Sequence, residues 1–264
     1  MKPGVKQILH LAAACTLTAG IAGGQTVRSD QAQASALTDA IAQVRSGDGA
    51  GVDSIVKNLG REQAIPILED LFAHSEYIGI KERIASALYR LGDKDGAYWE
   101  FMLAQAKDAA RSTAPYPYAY DAQGKMQRSY SPEFIAWAKA WGVTPENAEA
   151  ATWEDYRSVL LVATAGDRRA LPVLRQALKS PNSLIASVAA KGLAQLQDRE
   201  SVAAIIKACE RAPADAAALI ASALVYFDDA RAQSAADQFL PAETAKTLRA
   251  YAREHGDKPF STVR

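Results

Sequence analysis

The 264-residue chain is poor in the residues that most chemistry uses: it has two cysteines and three histidines. Cys15 falls in an N-terminal leader, which leaves Cys209 alone and removes any internal disulfide. Its neighbours Ile205, Ile206 and Ala208 mark it as a small buried hydrophobe. Beyond the leader only His74 and His255 remain, and neither has a partner at His-x-x-x-His or Cys-x-x-Cys spacing, so the common metal-ligand motifs are excluded. His74 precedes Ser75-Glu76 at the end of a helical pattern, where a histidine suits the helix C-terminus. No nucleophile elbow, phosphate-cradling glycine loop or dinucleotide fingerprint occurs. Charge of one sign is also missing. Lys and Arg total 30 and Asp and Glu total 30, which gives no support to a nucleic-acid or membrane-surface role. These absences set the expectation of a non-catalytic protein with no metal and no cofactor.

Long apolar runs are lacking too. The longest, Ile8 to Ile21, is too short and too rich in small residues to span a membrane. It follows Lys2 and Lys6 with no acid between, the pattern of a cleaved secretory signal. Ala32-Gln33-Ala34 before Ser35 offers a small-x-small cleavage site, and Ala22-Gly23-Gly24 before Gln25 offers another. Ala12-Ala13-Ala14-Cys15 invites comparison with a lipoprotein box. Few apolar residues precede Cys15, however, and the run continues past it, so a lipid anchor is the less favoured alternative. The expected location is periplasmic or secreted. Residues 1–34 form the signal and processing region, with no membrane insertion after its removal.

What the chain does contain is a repeat. Asp167, Asp198 and Asp229 stand at equal spacings of 31 residues. Before the last two runs the same ladder: Ala190, Leu193, Leu196 and then Asp198; Ala221, Leu224, Phe227 and then Asp229. Ala85, Leu88, Leu91 and Asp93 repeat it upstream. Steps of three and four return a side chain to one helical face, so each ladder is a stripe that must be covered. A lone helix pair cannot cover it, whereas stacked neighbours bury the stripes in a continuous core. Each joint Asp falls where one helix ends and the next begins, in position to accept from orphan backbone N–H groups.

After the joints a first helix is readable in Asp167-Arg-Arg-Ala170-Leu171-Pro172-Val173-Leu174, and again in Ala64-Ile65-Pro66-Ile67-Leu68 after Gly60-Arg61. The shared Ala-aliphatic-Pro-aliphatic-Leu core resembles the first helix of HEAT repeats, especially the short-period bacterial subfamily related to bilin lyases. The prolines read as lying near the starts of their helices. The resemblance covers about residues 60–110 and 150–255. It implies an all-α, right-handed α-solenoid of HEAT-like helical hairpins. It would also imply tetrapyrrole attachment, but an export signal and the lack of a recognisable lyase site argue against carrying that activity over. Residues 35–60 read as an N-terminal helical cap of two short helices, Leu37 to Arg45 and Asp53 to Leu59, and residues 61–264 as the solenoid. Ala245, Leu248 and Tyr251 keep the ladder in a shortened last unit.

One stretch breaks the pattern. Residues 111–131 hold two prolines and no helical period; Tyr116, Tyr118 and Tyr120 alternate, Asp121 to Gly124 is a turn signal, and Lys125 to Tyr130 is placed to pair back as a second strand. Helices then start at Ser131-Pro132-Glu133 and Thr144-Pro145-Glu146, the first with a stripe of Phe134, Trp137 and Trp141. One reading packs these rings into a wider local core. The other takes Tyr116, Tyr118 and Tyr120, with Lys125 and Arg128, as a surface that recognises a protein partner. Both hold together if the tryptophans lie inside and some tyrosines outside. The expected function is an exported scaffold that binds a protein partner. The rivals are an envelope hydrolase or lyase-like enzyme in the concave groove and a structural subunit of an envelope complex.

Overall fold

The computed structural model describes residues 26–92, 96–256 and 259–260. The apolar leader with Cys15, the joint Asp93 and the start of the Asp257-Lys258 tail lie outside the described residues. The chain divides into two compact units, Met1–Gly92 and Asp93–Arg264.

The first unit holds α1 (Thr26–Arg45), α2 (Ala50–Asn58), α3 (Arg61–His74) and α4 (Ile78–Arg90). Its two hairpins, α1 with α2 and α3 with α4, bury Val44, Val52, Ile55, Leu68, Ile84 and Leu88. α1 begins at Thr26, ahead of the Leu37 start read from the sequence, and runs through the Ala32–Ala34 segment. The Asp48 carboxylate accepts from Ala50 N at 2.9 Å and opens α2. Pro66 corrects the sequence reading. It lies inside α3, because that helix already starts at Arg61, and its ring removes the N–H that would have bonded the Glu62 carbonyl. His74 ends α3 as expected, with Nδ1 2.8 Å from the Asp70 carbonyl oxygen.

The second unit is an all-α solenoid segment with one small sheet. Its helices are α5 (Ala97–Ala109), α6 (Pro132–Ala140), α7 (Pro145–Thr164), α8 (Leu171–Ala177), α9 (Ser183–Gln195), α10 (Val202–Arg211), α11 (Ala214–Ala221), α12 (Ala230–Phe239) and α13 (Ala242–His255). α5 packs on α7, α8 on α9 and α10 on α11, and the second helices α7, α9 and α11 lie side by side. The ladders face that seam: Ala190, Leu193, Ala221, Leu224 and Phe227 are at most 1% exposed. Gly192 permits the close approach, since a Cβ there would meet Ala163 Cβ at 2.8 Å and Leu174 Cδ1 at 2.9 Å. In the later copy the ladder is split, with α11 ending at Ala221 and Leu224–Tyr226 continuing as a 3₁₀ turn. In α13 only Ala245 of the Ala245, Leu248, Tyr251 ladder is fully buried; Leu248 and Tyr251 are half-buried.

Two of the three described joints are caps. Asp167 accepts from Arg169 N at 2.8 Å and grips the Arg169 guanidinium, and Asp229 does the same for Arg231. That grip holds the Asp229 carboxyl down at about 2. Asp198 departs from the pattern. Glu200 stands where Arg169 and Arg231 stand in the other units, and the adjacent Arg199 pairs with Asp228. Arg175 comes instead from the preceding first helix, with bonds of 2.9 and 2.6 Å to the Asp198 carboxylate, and the Ser201 hydroxyl donates as well. Asp198 is 5% exposed, and the Arg175 bond is the main force keeping its carboxyl below the usual range.

Asp198→Ala should therefore cost more than Asp167→Ala. It leaves the buried Ser201 hydroxyl without its acceptor, a loss of about 1–3 kcal/mol, against about 1 kcal/mol for a lost cap. A carboxyl held down only in the folded chain stabilises fully above its unfolded value, 3.8, and loses that contribution as pH falls through the folded value. Urea unfolding should show the gap between wild type and Asp198→Ala narrowing below that pH; a constant gap down to about pH 2 counts against a charged Asp198–Arg175 pair.

Candidate functional site

The insertion leaves α5 and reaches α6 through the edge of the stack where first helices turn into second helices. The alternating tyrosines form β1 (Tyr118–Tyr120) and pair antiparallel with β2 (Met126–Tyr130), Tyr118 opposite Tyr130 and Tyr120 opposite Met126. Asp121 makes the turn. Its Oδ1 accepts from Gln123 N and Lys125 N at 3.0 and 2.9 Å, and its backbone N–H closes on the Lys125 carbonyl.

Three successive second helices hold the hairpin near their N-terminal ends. Near the base, Glu149 of α7 accepts from Tyr118 through Oε1 and from Tyr130 through Oε2, the latter at 2.6 Å, while Trp153 Nε1 adds a contact at 3.3 Å. The hydrogen bonds from Tyr118 and then Tyr130 hold the Glu149 carboxyl down, and in return Tyr130 is pushed up to about 12, chiefly by its bond to Glu149. Midway, the Tyr120 hydroxyl lies 3.2 Å from Ser183 Oγ at the start of α9. At the tip, Asp215 of α11 donates its N–H to the Gly124 carbonyl at 3.0 Å and accepts from Met126 N through Oδ2 at 2.8 Å. Gly124 has φ +75°, and a Cβ on it would fall 2.5 Å from Ala214 N.

Beneath the hairpin lies a pocket of about 240 Å³. Tyr116 and Tyr120 line one side, and the turns Leu178–Ser183 and Arg211–Pro213 line the other. Burial, with the neighbouring Tyr120 next in weight, pushes Tyr116 up to about 12, and its hydroxyl donates to Met126 sulfur at 2.7 Å.

The candidate tyrosines therefore do not form one surface. Tyr116 and Tyr120 face the pocket, Tyr118 is committed to Glu149, and Lys125 and Arg128 are exposed on the hairpin. The division into inner tryptophans and some outer tyrosines does not hold for the helices after the hairpin, although Trp99 of α5 is fully buried. Phe134 is the buried ring of the local core, the four hairpin tyrosines are half-buried, Trp137 is half-buried, and Trp141 and Trp153 are 68% and 40% exposed. The reason lies in helix length: α6 ends at Ala140, so Trp141 falls past its last turn, beyond the face that packs on α7. Glu149, Ser183, Asp215, Lys179 and Arg211 were not singled out from the sequence. A signal for the last two did exist, because both intra-repeat turns, Lys179-Ser-Pro-Asn and Arg211-Ala-Pro, carry a base and a proline.

Elsewhere the site residues are few. Cys209 is buried, and burial pushes its thiol up to about 12, so it is a packing residue. Among the described residues no group of three or more His, Cys, Asp or Glu is placed to hold a metal ion, and no helix is long and apolar enough to cross a membrane.

A family model described as PBS lyase HEAT-like repeat matches residues 185–211. The chain carries HEAT-like repeats. The match runs from α9 through the Asp198 joint to the end of α10, so its last residue, Arg211, lines the pocket. No curated protein and no solved structure shows significant similarity to the chain. The HEAT-like repeat makes the architecture a helical repeat scaffold.

Gly124→Ala should release the hairpin tip, since both the positive φ and the clash with the Ala214 backbone oppose it, at roughly 1–3 kcal/mol. Hydrogen exchange at Met126 and Asp215 should speed up while α9 stays protected. Arg128→Ala, on the exposed strand, should change neither; equal effects of the two substitutions would undo the assignment of the tip as a docked element.

Proposed function

We propose that the chain is an exported, non-catalytic scaffold that binds a protein partner on the surface around its insertion. The observation that carries this reading is the distribution of exposed apolar side chains. In the second unit, the exposed large hydrophobics among the described residues are Met126, Ile135, Trp141, Val143 and Trp153, all within 28 consecutive positions of the hairpin, α6 and the start of α7. Contiguous exposed apolar surface marks interaction sites, and tryptophan is a frequent interface anchor. Lys125 in the turn and Arg128 on β2 flank it as polar rim residues, Tyr116 bonds Met126 and stands beside Tyr120, and Tyr118 stacks on Tyr130. Export rests on the Lys-bearing start and short apolar run of residues 1–21.

A photo-crosslinking amino acid at position 141 should give one adduct of discrete mass in envelope extract, and the same group at exposed Lys207 on α10 should not. The double change Trp141→Ser and Trp153→Ser should lose the complex with helical circular dichroism intact. Identical labelling from positions 141 and 207 would falsify this surface as the partner site. Export is checked separately: mass spectrometry of protein recovered from the envelope should find a chain that begins at Gln25 or Ser35. An intact Met1 start in the cytoplasmic fraction counts against it.

A further inference from the structure

We infer that the pocket beneath the hairpin binds a carboxylate carried on a short apolar stem. This goes beyond the scaffold reading and stands without it, because it concerns the pocket and not the exposed tryptophans.

Size comes first. At about 240 Å³ the pocket is smaller than the roughly 300–1,000 Å³ of sites that take drug-sized ligands or cofactors. It suits one end of a molecule. Its walls supply the rest of the description: Leu178 and Ile220 with the rings of Tyr116 and Tyr120 are apolar surface, and Lys179 and Arg211 are two cations on the turns opposite. Neither cation has a hydrogen-bond or carboxylate partner among the described residues, whereas Arg169, Arg175, Arg199, Arg231 and Arg249 of the same unit all pair with acids. Of the two acids that act on Tyr116, Asp215 has its Oδ2 on Met126 N, and Glu149 is held by the hydroxyls of Tyr118 and Tyr130. The lining itself holds these two bases and no acid, so the pocket has positive charge to offer. Ser183, on the wall, opens the 13-residue α9, whose N-terminal end adds partial positive charge.

A guanidinium matches a carboxylate in planar two-point geometry, and an ammonium adds a point charge beside it. The apolar walls then favour an acid with a hydrocarbon side chain over a bare inorganic anion. Such a group is found on a free acid and on the C-terminal residue of a peptide, and the chemistry at the pocket is the same for both.

The test uses the full chain and three probes: N-acetyl-leucine, its neutral analogue N-acetyl-leucinamide, and the tripeptide Ala-Ala-Leu with a free C-terminus. Amide shifts of residues 178–184 and 211–215 are followed by NMR. The two acids should move these residues, and the amide should bind about tenfold more weakly or worse, as expected when a charge-assisted bond is lost. Arg211→Met should weaken the acids by a similar factor, and Arg211→Met with Lys179→Met should abolish the difference between acid and amide. Both side chains are exposed, so the fold should persist, and circular dichroism confirms it. Tighter binding of Ala-Ala-Leu than of N-acetyl-leucine identifies a chain end as the source, and equal binding identifies a free acid. The inference is overturned if acid and amide bind alike, if Arg211→Met leaves acid binding unchanged, or if no acid shifts these residues at millimolar concentration.

Discussion

Everything along this edge follows from one constraint of packing. The ladders of α7, α9 and α11 are apolar stripes that no single hairpin can cover, so the three second helices must lie side by side. Once they do, their N-terminal ends form a row, and the polar side chains carried there become a track of anchoring points. Glu149, Ser183 and Asp215 occupy successive places on that track. The hairpin lies along it, and the pocket is the space left between hairpin and turns. The local bonds are individually modest; the regular spacing of the helices makes them coincide.

The repeat was legible because it is written in period and punctuation. Ladders at steps of three and four, the shared Ala-aliphatic-Pro-aliphatic-Leu core and equally spaced joints identify stacked hairpins, and the start signals at Ser131 and Thr144 cap α6 and α7 as read, accepting from Phe134 N and Asn147 N. The hairpin was legible for the same reason, since alternation, a turn tetrad and a returning strand are local features. The failures are of another kind. That Asp198 binds Arg175 instead of capping depends on a side chain 23 positions away, although Glu200 in place of an arginine was a visible warning. The role of Gly192 depends on how closely Ala163 and Leu174 approach, which no spacing rule reports.

The aromatic residues show the same division between local and distant causes. Alternation would put Tyr116, Tyr118 and Tyr120 on one side of a flat strand, yet the three end in two environments. The register shift between Tyr118 and Tyr120 supplies the difference. The pairing is irregular between them, and Tyr118 meets Glu149 while Tyr120 reaches Ser183. The indoles were assigned inward because a helical stripe usually is. α6 is too short to give Trp141 a covering neighbour, and the smaller Phe134 and Ala138 fill the core that remains.

A solenoid whose repeats touch only their neighbours unfolds piecemeal, fraying from an end as a one-dimensional chain of weakly linked steps. The hairpin adds a tie of a different order. Met126 and Asp215 are 89 positions apart in sequence, and the bond between them joins one repeat to the next but one. Opening any one of the three helix pairs it crosses also breaks that pair's bond to the hairpin, so the tie couples the opening of repeats that do not touch one another. The ordering entropy of that long loop must be met before its contacts form, which places hairpin docking late in folding.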